Sequence, residues 1–208
     1  MDTHDLGFNE RRFLELYRRF YQTDYPAADD NNQNAHVQGQ KAVYLLMLKH
    51  VGVGDYSFTW QHHGPCSDTL QNMMRELDKR PQAVEAFYRS FPSDDATRNK
   101  LYSNDANAQR LFFPEDGERI DAAREQLGLS KKTGDTLNQD GDTPVRRWVE
   151  LLGSLAYISA TRLPTAGEER VWAELQKAKS KEKYRNAPEK EEALQVLRAA
   201  ALLSSSQA

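Results

Sequence analysis

Apolar residues in this chain recur mostly at helical spacing, and two stretches are apolar on nearly every side. Residues 42–48 read Ala-Val-Tyr-Leu-Leu-Met-Leu, and a second apolar stretch runs from Trp148 to Ile158. A helix without a polar face is normally buried on all sides. The pattern therefore predicts a mainly α fold, a compact multi-helix globule built around two buried helices at about 37–50 and 145–162.

Amphipathic segments flank this pair and predict further helices that each bury one face. The apolar positions that define these faces are Phe13, Leu16, Tyr17 and Phe20; Leu70, Met74 and Leu77; Val84 and Phe87; Ile120, Ala123 and Leu127; Val171, Trp172 and Leu175; and Ala193, Leu194 and Leu197. Because helices dominate this pattern, any sheet must be small.

One short segment instead has the period of a β-strand. Tyr56, Phe58 and Trp60 alternate with Ser57 and Thr59, as in a strand with one buried face. The segment is too short to build a sheet, so at most a short β-hairpin or extended segment is expected near 54–61.

The 208 residues fit a single helical domain, 1–208, because domains commonly hold about 100 to 200 residues. Asn, Asp, Gly and Pro favour turns, and their density predicts loops at 22–36 and 128–143. The Ser-rich end, 204–208, is expected to fray.

Composition narrows the class of protein. A formal net charge of −3 gives no overall attraction to nucleic acid or anionic lipid. The single cysteine rules out an internal disulfide framework and fits a reducing compartment. The polar first residues and the short apolar runs predict no signal peptide and no membrane contact. We expect a cytoplasmic protein.

The densest polar cluster is His62, His63, Cys66 and Asp68. A structural zinc site needs four ligands, and the remaining histidines have no ligand spacing, so neither a metal nor another cofactor is expected. Cys66 precedes a predicted helix start, a position that lowers a thiol pKa, and a neighbouring histidine could serve as its base. A cysteine-dependent enzyme is therefore one hypothesis, although no known catalytic motif is present and no catalytic residue is assigned.

A basic run follows the predicted Trp172 helix. Its cationic residues are Lys177, Lys179, Lys181, Lys183 and Arg185. Such a run can bind phosphates, which makes a nucleic-acid-binding regulator an alternative hypothesis. Acidic residues surround the run, so a solvated surface explains it as well.

Three segments together carry a family resemblance. Gln40-Lys41-Ala42-Val43-Tyr44-Leu45-Leu46 is followed by Tyr56-Ser57-Phe58-Thr59-Trp60-Gln61-His62-His63-Gly64-Pro65-Cys66-Ser67-Asp68-Thr69-Leu70, and later by Trp148-Val149-Glu150-Leu151-Leu152-Gly153-Ser154-Leu155-Ala156-Tyr157. This order resembles the YwgA-like prokaryotic proteins and, more distantly, the Panacea-domain (SocA-like) antitoxins. The resemblance spans about 37–77 and 145–203, and 92–143 is interpreted as a family-variable insertion.

The resemblance implies a helical domain of phage, mobile-element and defence contexts that binds a protein partner, possible examples being a toxin or a defence component. The first hypothesis is therefore a non-enzymatic, antitoxin-like protein-interaction module. Its expected partner-binding residues are Trp60, His62, His63, Gly64, Pro65 and Ser67, because a rigid Gly-Pro turn can present aromatic anchors to a partner. The alternative is that Tyr56, Phe58 and Trp60 belong to the core.

Overall fold

Eight helices and one β-hairpin make up the described part of the chain. The computed structural model describes residues 6–26, 33–90, 114–132, 143–178, 184 and 189–203. The helices are α1 (Phe8–Tyr21), α2 (Gln33–Leu48), α3 (Asp68–Asp78), α4 (Pro81–Ser90), α5 (Pro114–Gln126), α6 (Pro144–Tyr157), α7 (Glu168–Ala178) and α8 (Lys190–Ala199), and the strands are β1 (Thr59–Gln61) and β2 (Gly64–Cys66). The predicted mainly α fold with a short hairpin is confirmed.

Helices α2 and α6 form the centre of the core. They contact each other more extensively than any other two helices of the described part, and Leu45, Leu46, Leu152 and Leu155 between them are fully buried. Thr143 caps α6 by accepting a hydrogen bond from the Arg146 amide, and Ile158–Arg162 continues the helix as a π-turn. The two predicted buried helices are thus present and packed together.

Two boundaries differ from the sequence expectation. The predicted loop 22–36 is too long, because α2 already begins at Gln33. Ala35 is buried in this first turn and the His36 ring bonds to Asp78 at 2.7 Å, so tertiary contacts outweigh the weak helix propensity of these residues. In the predicted loop 128–143, residues 129–131 form a 3₁₀ turn.

The hairpin also lies a few residues later than expected. Both strands fall within 59–66, whereas Tyr56 and Phe58 precede β1 and have no partner in the β-ladder. Their alternation is explained by packing, since both are half-buried against the core while Ser57 and Thr59 are exposed.

Helix α5 shows that the segment interpreted as an insertion contributes to the core. Ile120, Ala123 and Leu127 are buried, and the Trp148 indole of α6 donates a 2.8 Å hydrogen bond to the Leu127 carbonyl. Residues 92–113 and 133–142 of that segment and the expected tail at 204–208 lie outside the described residues. No helix in the described ranges has both the length and the apolar character to span a membrane.

Three tyrosines join α1, α3 and α4. The Tyr25 hydroxyl donates to an Asp78 carboxylate oxygen at 2.9 Å, and the Tyr88 hydroxyl donates to the Leu14 carbonyl at 3.0 Å. Tyr17 and Tyr25 meet edge to face, with ring centroids 5.2 Å apart. Burial raises the pKa of Tyr17, Tyr25 and Tyr88 well above the usual value for tyrosine.

These shifts predict a loss of stability at alkaline pH. The unfolded chain releases the phenolic protons near pH 10, whereas the folded chain keeps them, so stability is full below pH 10 and falls as pH rises above it. At about pH 11 each buried tyrosine should cost about 1.4 kcal/mol. Urea unfolding measures the difference in the free energy of unfolding between about pH 8 and about pH 11. Tyr17→Phe should reduce this difference by about 1.4 kcal/mol, the contribution of one buried tyrosine. An unchanged difference in this variant would contradict the assignment.

Candidate binding site

The hairpin is closed by the two-residue turn His62-His63. Its register pairs Thr59 with Cys66, Trp60 with Pro65 and Gln61 with Gly64. Gly64 has a φ of +90°, a conformation that residues with a Cβ rarely adopt. This glycine therefore allows the chain to reverse directly against the body of the domain.

Two adjacent residues of α2 fix the returning strand. The Lys41 ammonium donates a 2.6 Å hydrogen bond to the Pro65 carbonyl. The Gln40 side-chain amide donates to the Ser67 carbonyl at 2.9 Å, and its oxygen accepts the Ser67 amide proton, also at 2.9 Å. All of these groups are buried, so the bonds form without competition from water. Strand β2 and the start of α3 are thus anchored to α2.

Helix α6 closes the other side of this anchor. A Cβ on Gly64 would lie 2.4 Å from the Ser154 Oγ, and one on Gly153 would lie 3.0 Å from the Lys41 Cδ. Two glycines therefore allow the hairpin and the lysine stem to approach the helix closely. Lys41 is 1% exposed and Glu150, one turn before Ser154, is fully buried, so an ammonium and a carboxylate are both enclosed at this junction.

The turn reaches over the buried carboxylate. The His63 Nδ1 lies 3.8 Å from the Glu150 Oε2, and the His63 side chain is 41% exposed. His62 is exposed, and its ring meets that of His63 edge to face at 4.7 Å. His62 therefore faces solvent, whereas His63 lies between the solvent and the buried Glu150.

Trp60 is partly buried at the rim of the core. Its ring lies 5.7 Å from that of Tyr157, and the Arg162 guanidinium lies 4.7 Å from the centroid of the Trp60 ring. Phe58 packs on Tyr44 at 5.0 Å. Phe58 and Trp60 are thus half-buried. One side of each ring packs on the core, so only the remaining edge is available to a partner.

A cleft of about 540 Å³ opens beside the hairpin, between α2, β1 and α3. Its walls are mostly polar and are formed by Gln33, His36, Val37, Gln40, Lys41, Gln61, His62, His63, Gly64, Cys66, Asp68, Gln71, Asn72 and Arg75. This volume falls within the range of about 300 to 1,000 Å³ of ligand sites. The cleft is therefore large enough to hold a few residues of a partner or a small molecule.

A hydrogen-bond chain stiffens the wall between α2 and α3. The His36 Nε2 lies 2.7 Å from an Asp78 oxygen, and its Nδ1 lies 2.7 Å from the Gln71 amide nitrogen. The Gln71 oxygen in turn accepts a 3.4 Å bond from Gln40. This arrangement assigns the Nε2 proton to His36 and uses both ring nitrogens. The imidazole is thus a structural link in the folded chain.

The expected partner-binding residues divide into two groups. Gly64, Pro65 and Ser67 are buried and shape the turn from inside. His62 is exposed, and His63 and Trp60 are half-buried, so only these three present atoms to a partner.

Sequence reasoning missed the buried residues that hold this turn, Gln40, Lys41 and Glu150. A signal was present, since Gln40 and Lys41 directly precede the apolar run 42–48 and Glu150 lies within the apolar stretch from Trp148 to Ile158, and buried polar groups require specific partners.

The pKa of the Cys66 thiol is shifted in the opposite direction to the one expected. Burial raises the pKa of its thiol, Asp68 raises it further, and Lys41 and Arg75 oppose the shift only in part. The expectation of a lowered pKa at the start of α3 is wrong, because loss of hydration outweighs the helix N-terminus. No group of three or more His, Cys, Asp or Glu side chains among the described residues is arranged to hold a metal ion.

One residue of the basic run lies within the described residues. Lys177 is exposed at the end of α7, with its ammonium 4.0 Å from a Glu174 oxygen. Lys179, Lys181, Lys183 and Arg185 lie outside the described residues.

Comparisons of this chain with protein-family models, curated proteins and solved structures each found no match.

The packing of Gly64 predicts a strong effect of one added methyl group. Gly64→Ala should lower the free energy of unfolding by about 3 kcal/mol, through backbone strain at positive φ and contact with Ser154. Ser154→Ala alone should change it by less than about 1 kcal/mol, because the Ser154 Oγ has no hydrogen-bond partner within the described structure. Urea unfolding of both single variants and the double variant measures the coupling.

The double variant should recover the part of the loss that is due to packing and keep the part that is due to strain. Gly167→Ala is the control, since a Cβ there meets nothing within 4 Å. Strictly additive effects of the Gly64 and Ser154 substitutions would show that the two residues do not touch.

The buried ammonium predicts a second stability effect. Lys41→Met should cost about 2 to 3 kcal/mol, since it leaves the buried Pro65 carbonyl without its charged donor. Lys49→Met is a matched control, because the Lys49 ammonium also bonds a backbone carbonyl, that of Ala200, at a partly buried position. The control should cost about 1 kcal/mol. Equal losses in chemical unfolding would refute a special role for Lys41.

Proposed function

We propose that this chain is a non-enzymatic protein-interaction module, antitoxin-like in its mode of action, that works by binding a protein partner directly. The partner is seated on the His62-His63 turn and in the adjoining cleft. The observation that carries this proposal is the anchoring of an exposed turn by buried hydrogen bonds from Gln40 and Lys41.

A turn held in this way supports binding for an energetic reason. Association costs free energy whenever loops must be ordered at the interface. Both ends of the His62-His63 turn are already fixed, through Gln61 and Gly64 of the two strands and through the buried bond to Pro65. The module therefore offers a preformed surface.

The family resemblance supports the same location. The segments that carry it, 40–46, 56–70 and 148–157, converge at this junction: Lys41 bonds Pro65, and Gly64 packs on Ser154. A pattern whose separate parts contact one another is typical of a shared local structure. The proposal assigns the surface above this structure to partner binding, as the resemblance to the antitoxins suggests.

The chemistry of the cleft favours binding over catalysis. The pKa of the Cys66 thiol is raised, which reduces the thiolate that a nucleophile requires. The cysteine-dependent alternative requires this thiol to ionise, which its burial opposes.

Affinity capture from the native host tests the proposal. The tagged full-length chain is incubated with host lysate, with and without nuclease, and the bound proteins are identified by mass spectrometry. We expect a stoichiometric protein partner that withstands nuclease. His62→Ala should reduce its recovery at least tenfold in a quantitative binding assay, as expected when an interface residue is truncated at a cost of more than about 1.4 kcal/mol.

The control is His50→Asn, another exposed histidine, which follows α2 outside the cleft and has a φ of 57° that asparagine tolerates. It should leave recovery unchanged. Recovery that depends on nucleic acid and falls with Lys177→Glu would instead favour the nucleic-acid-binding alternative. Recovery unaffected by His62→Ala would exclude the proposed surface.

A further inference from the structure

The cleft offers polar groups from three separate walls. Exposed side-chain amides project from Gln33 of α2, Gln61 of β1 and Asn72 of α3, and all three line the cleft. A side-chain amide carries both donors and an acceptor, which is the combination that a peptide backbone requires. This distribution suits an extended peptide segment that passes between the walls.

One cationic side chain that lines the cleft, Arg75, forms no ion pair within the described residues. Arg75 is exposed on α3, and across the described residues its guanidinium takes part in no hydrogen bond or salt bridge, in contrast to Arg80 and Arg89 nearby, which pair with Glu10 and Glu85. A guanidinium binds a carboxylate through two parallel hydrogen bonds. Arg75 is therefore available for an acidic group of a ligand.

The position of Arg75 on α3 directs it toward the same ligand. Asp68, Asn72 and Arg75 follow one another at spacings of four and three residues, which places them on one face of the helix. All three are exposed and line the cleft, whereas Leu70, Met74 and Leu77 on the opposite face are buried. The stripe thus combines amide and guanidinium groups along one wall.

The surrounding carboxylates limit how much negative charge the cleft can accept. Asp68 stands on the same wall, where the Gln61 amide donates to it at 3.1 Å. Asp78 lies behind His36, and Glu150 lies beneath His63. The several phosphates of a nucleic acid would be repelled by these carboxylates, whereas a single carboxylate can pair with Arg75 without approaching the others. The charges therefore favour a peptide over a nucleic acid.

We propose that the cleft binds an extended segment of the partner that bears one carboxylate, which pairs with Arg75 while the side-chain amides of the walls bind its backbone. This inference rests on the proposed function and specifies the chemistry of the partner. The carboxylate could belong to an acidic side chain or to a chain terminus, since both present the same two oxygens.

Nuclear magnetic resonance titration of the full chain with three model peptides tests this chemistry. The first is an acetylated, amidated pentapeptide with one central glutamate among alanines, the second has glutamine in its place, and the third is acetylated pentaalanine with a free carboxyl terminus. We expect saturable shifts of cleft amide signals with at least one of the two carboxylate peptides. The glutamine peptide should bind at least about tenfold more weakly than the preferred carboxylate peptide. A comparison of the first and third peptides identifies the source of the carboxylate.

Arg75→Gln should weaken binding of the preferred peptide by about tenfold or more, because the bidentate pair is lost. Arg89→Gln is the matched control, since Arg89 is an exposed arginine on α4 that does not line the cleft, and it should have no effect. Equal affinity for all three peptides, an unchanged Arg75→Gln protein, or no shift with any peptide would overturn the inference. Tighter binding of a short single-stranded RNA in the cleft would also overturn it.

The native partner separates failure of this inference from failure of the proposed function. If the partner is captured in a manner that requires His62 but Arg75→Gln binds it with full affinity, the interaction module stands and the carboxylate site is wrong. If a carboxylate peptide binds through Arg75 and no protein partner is captured, the cleft chemistry stands and the proposed function is wrong.

Discussion

The candidate site depends on one buried interaction, the hydrogen bond from the Lys41 ammonium to the Pro65 carbonyl. An enclosed ammonium is costly unless its charge and protons are satisfied, so the surrounding structure is constrained to supply partners. The returning strand provides one, and α6 places the buried Glu150 and two glycines around the same junction. The position of the hairpin thus follows from the requirements of a single side chain.

This constraint explains why a six-residue ladder persists at the surface. An isolated two-stranded hairpin is marginal in water, and this one has strands of only three residues. Its stability comes from outside the sheet, through the bonds from Lys41 and Gln40 on one side and the packing of Trp60 on Tyr157 on the other. The turn between the strands can then carry exposed groups without having to stabilise itself.

The sequence predicted the α2–α6 core because helical stretches that are apolar on nearly every side, such as 42–48, are normally buried against one another. It predicted the hairpin less well, since the alternation at Tyr56, Phe58 and Trp60 reports packing on Tyr44 and Tyr157 rather than strand pairing. The start of α2 and the raised pKa of the Cys66 thiol depend on tertiary contacts and burial, which local propensity does not encode. Gln40, Lys41 and Glu150 stand in the segments that carry the family resemblance, but their burial and their role in holding the hairpin depend on tertiary contacts.

The site contains two kinds of residue, those that are buried and those that are exposed. Lys41 bonds Pro65, Gln40 bonds Ser67 and Gly64 packs on Ser154. These contacts lie inside the protein, so the fold constrains the identities of these residues. His62 and the exposed stripe of α3 make few such contacts, so the fold constrains them less. A scaffold of this kind can keep its internal junction while its exposed residues change, which is the property that the proposed interaction module would require.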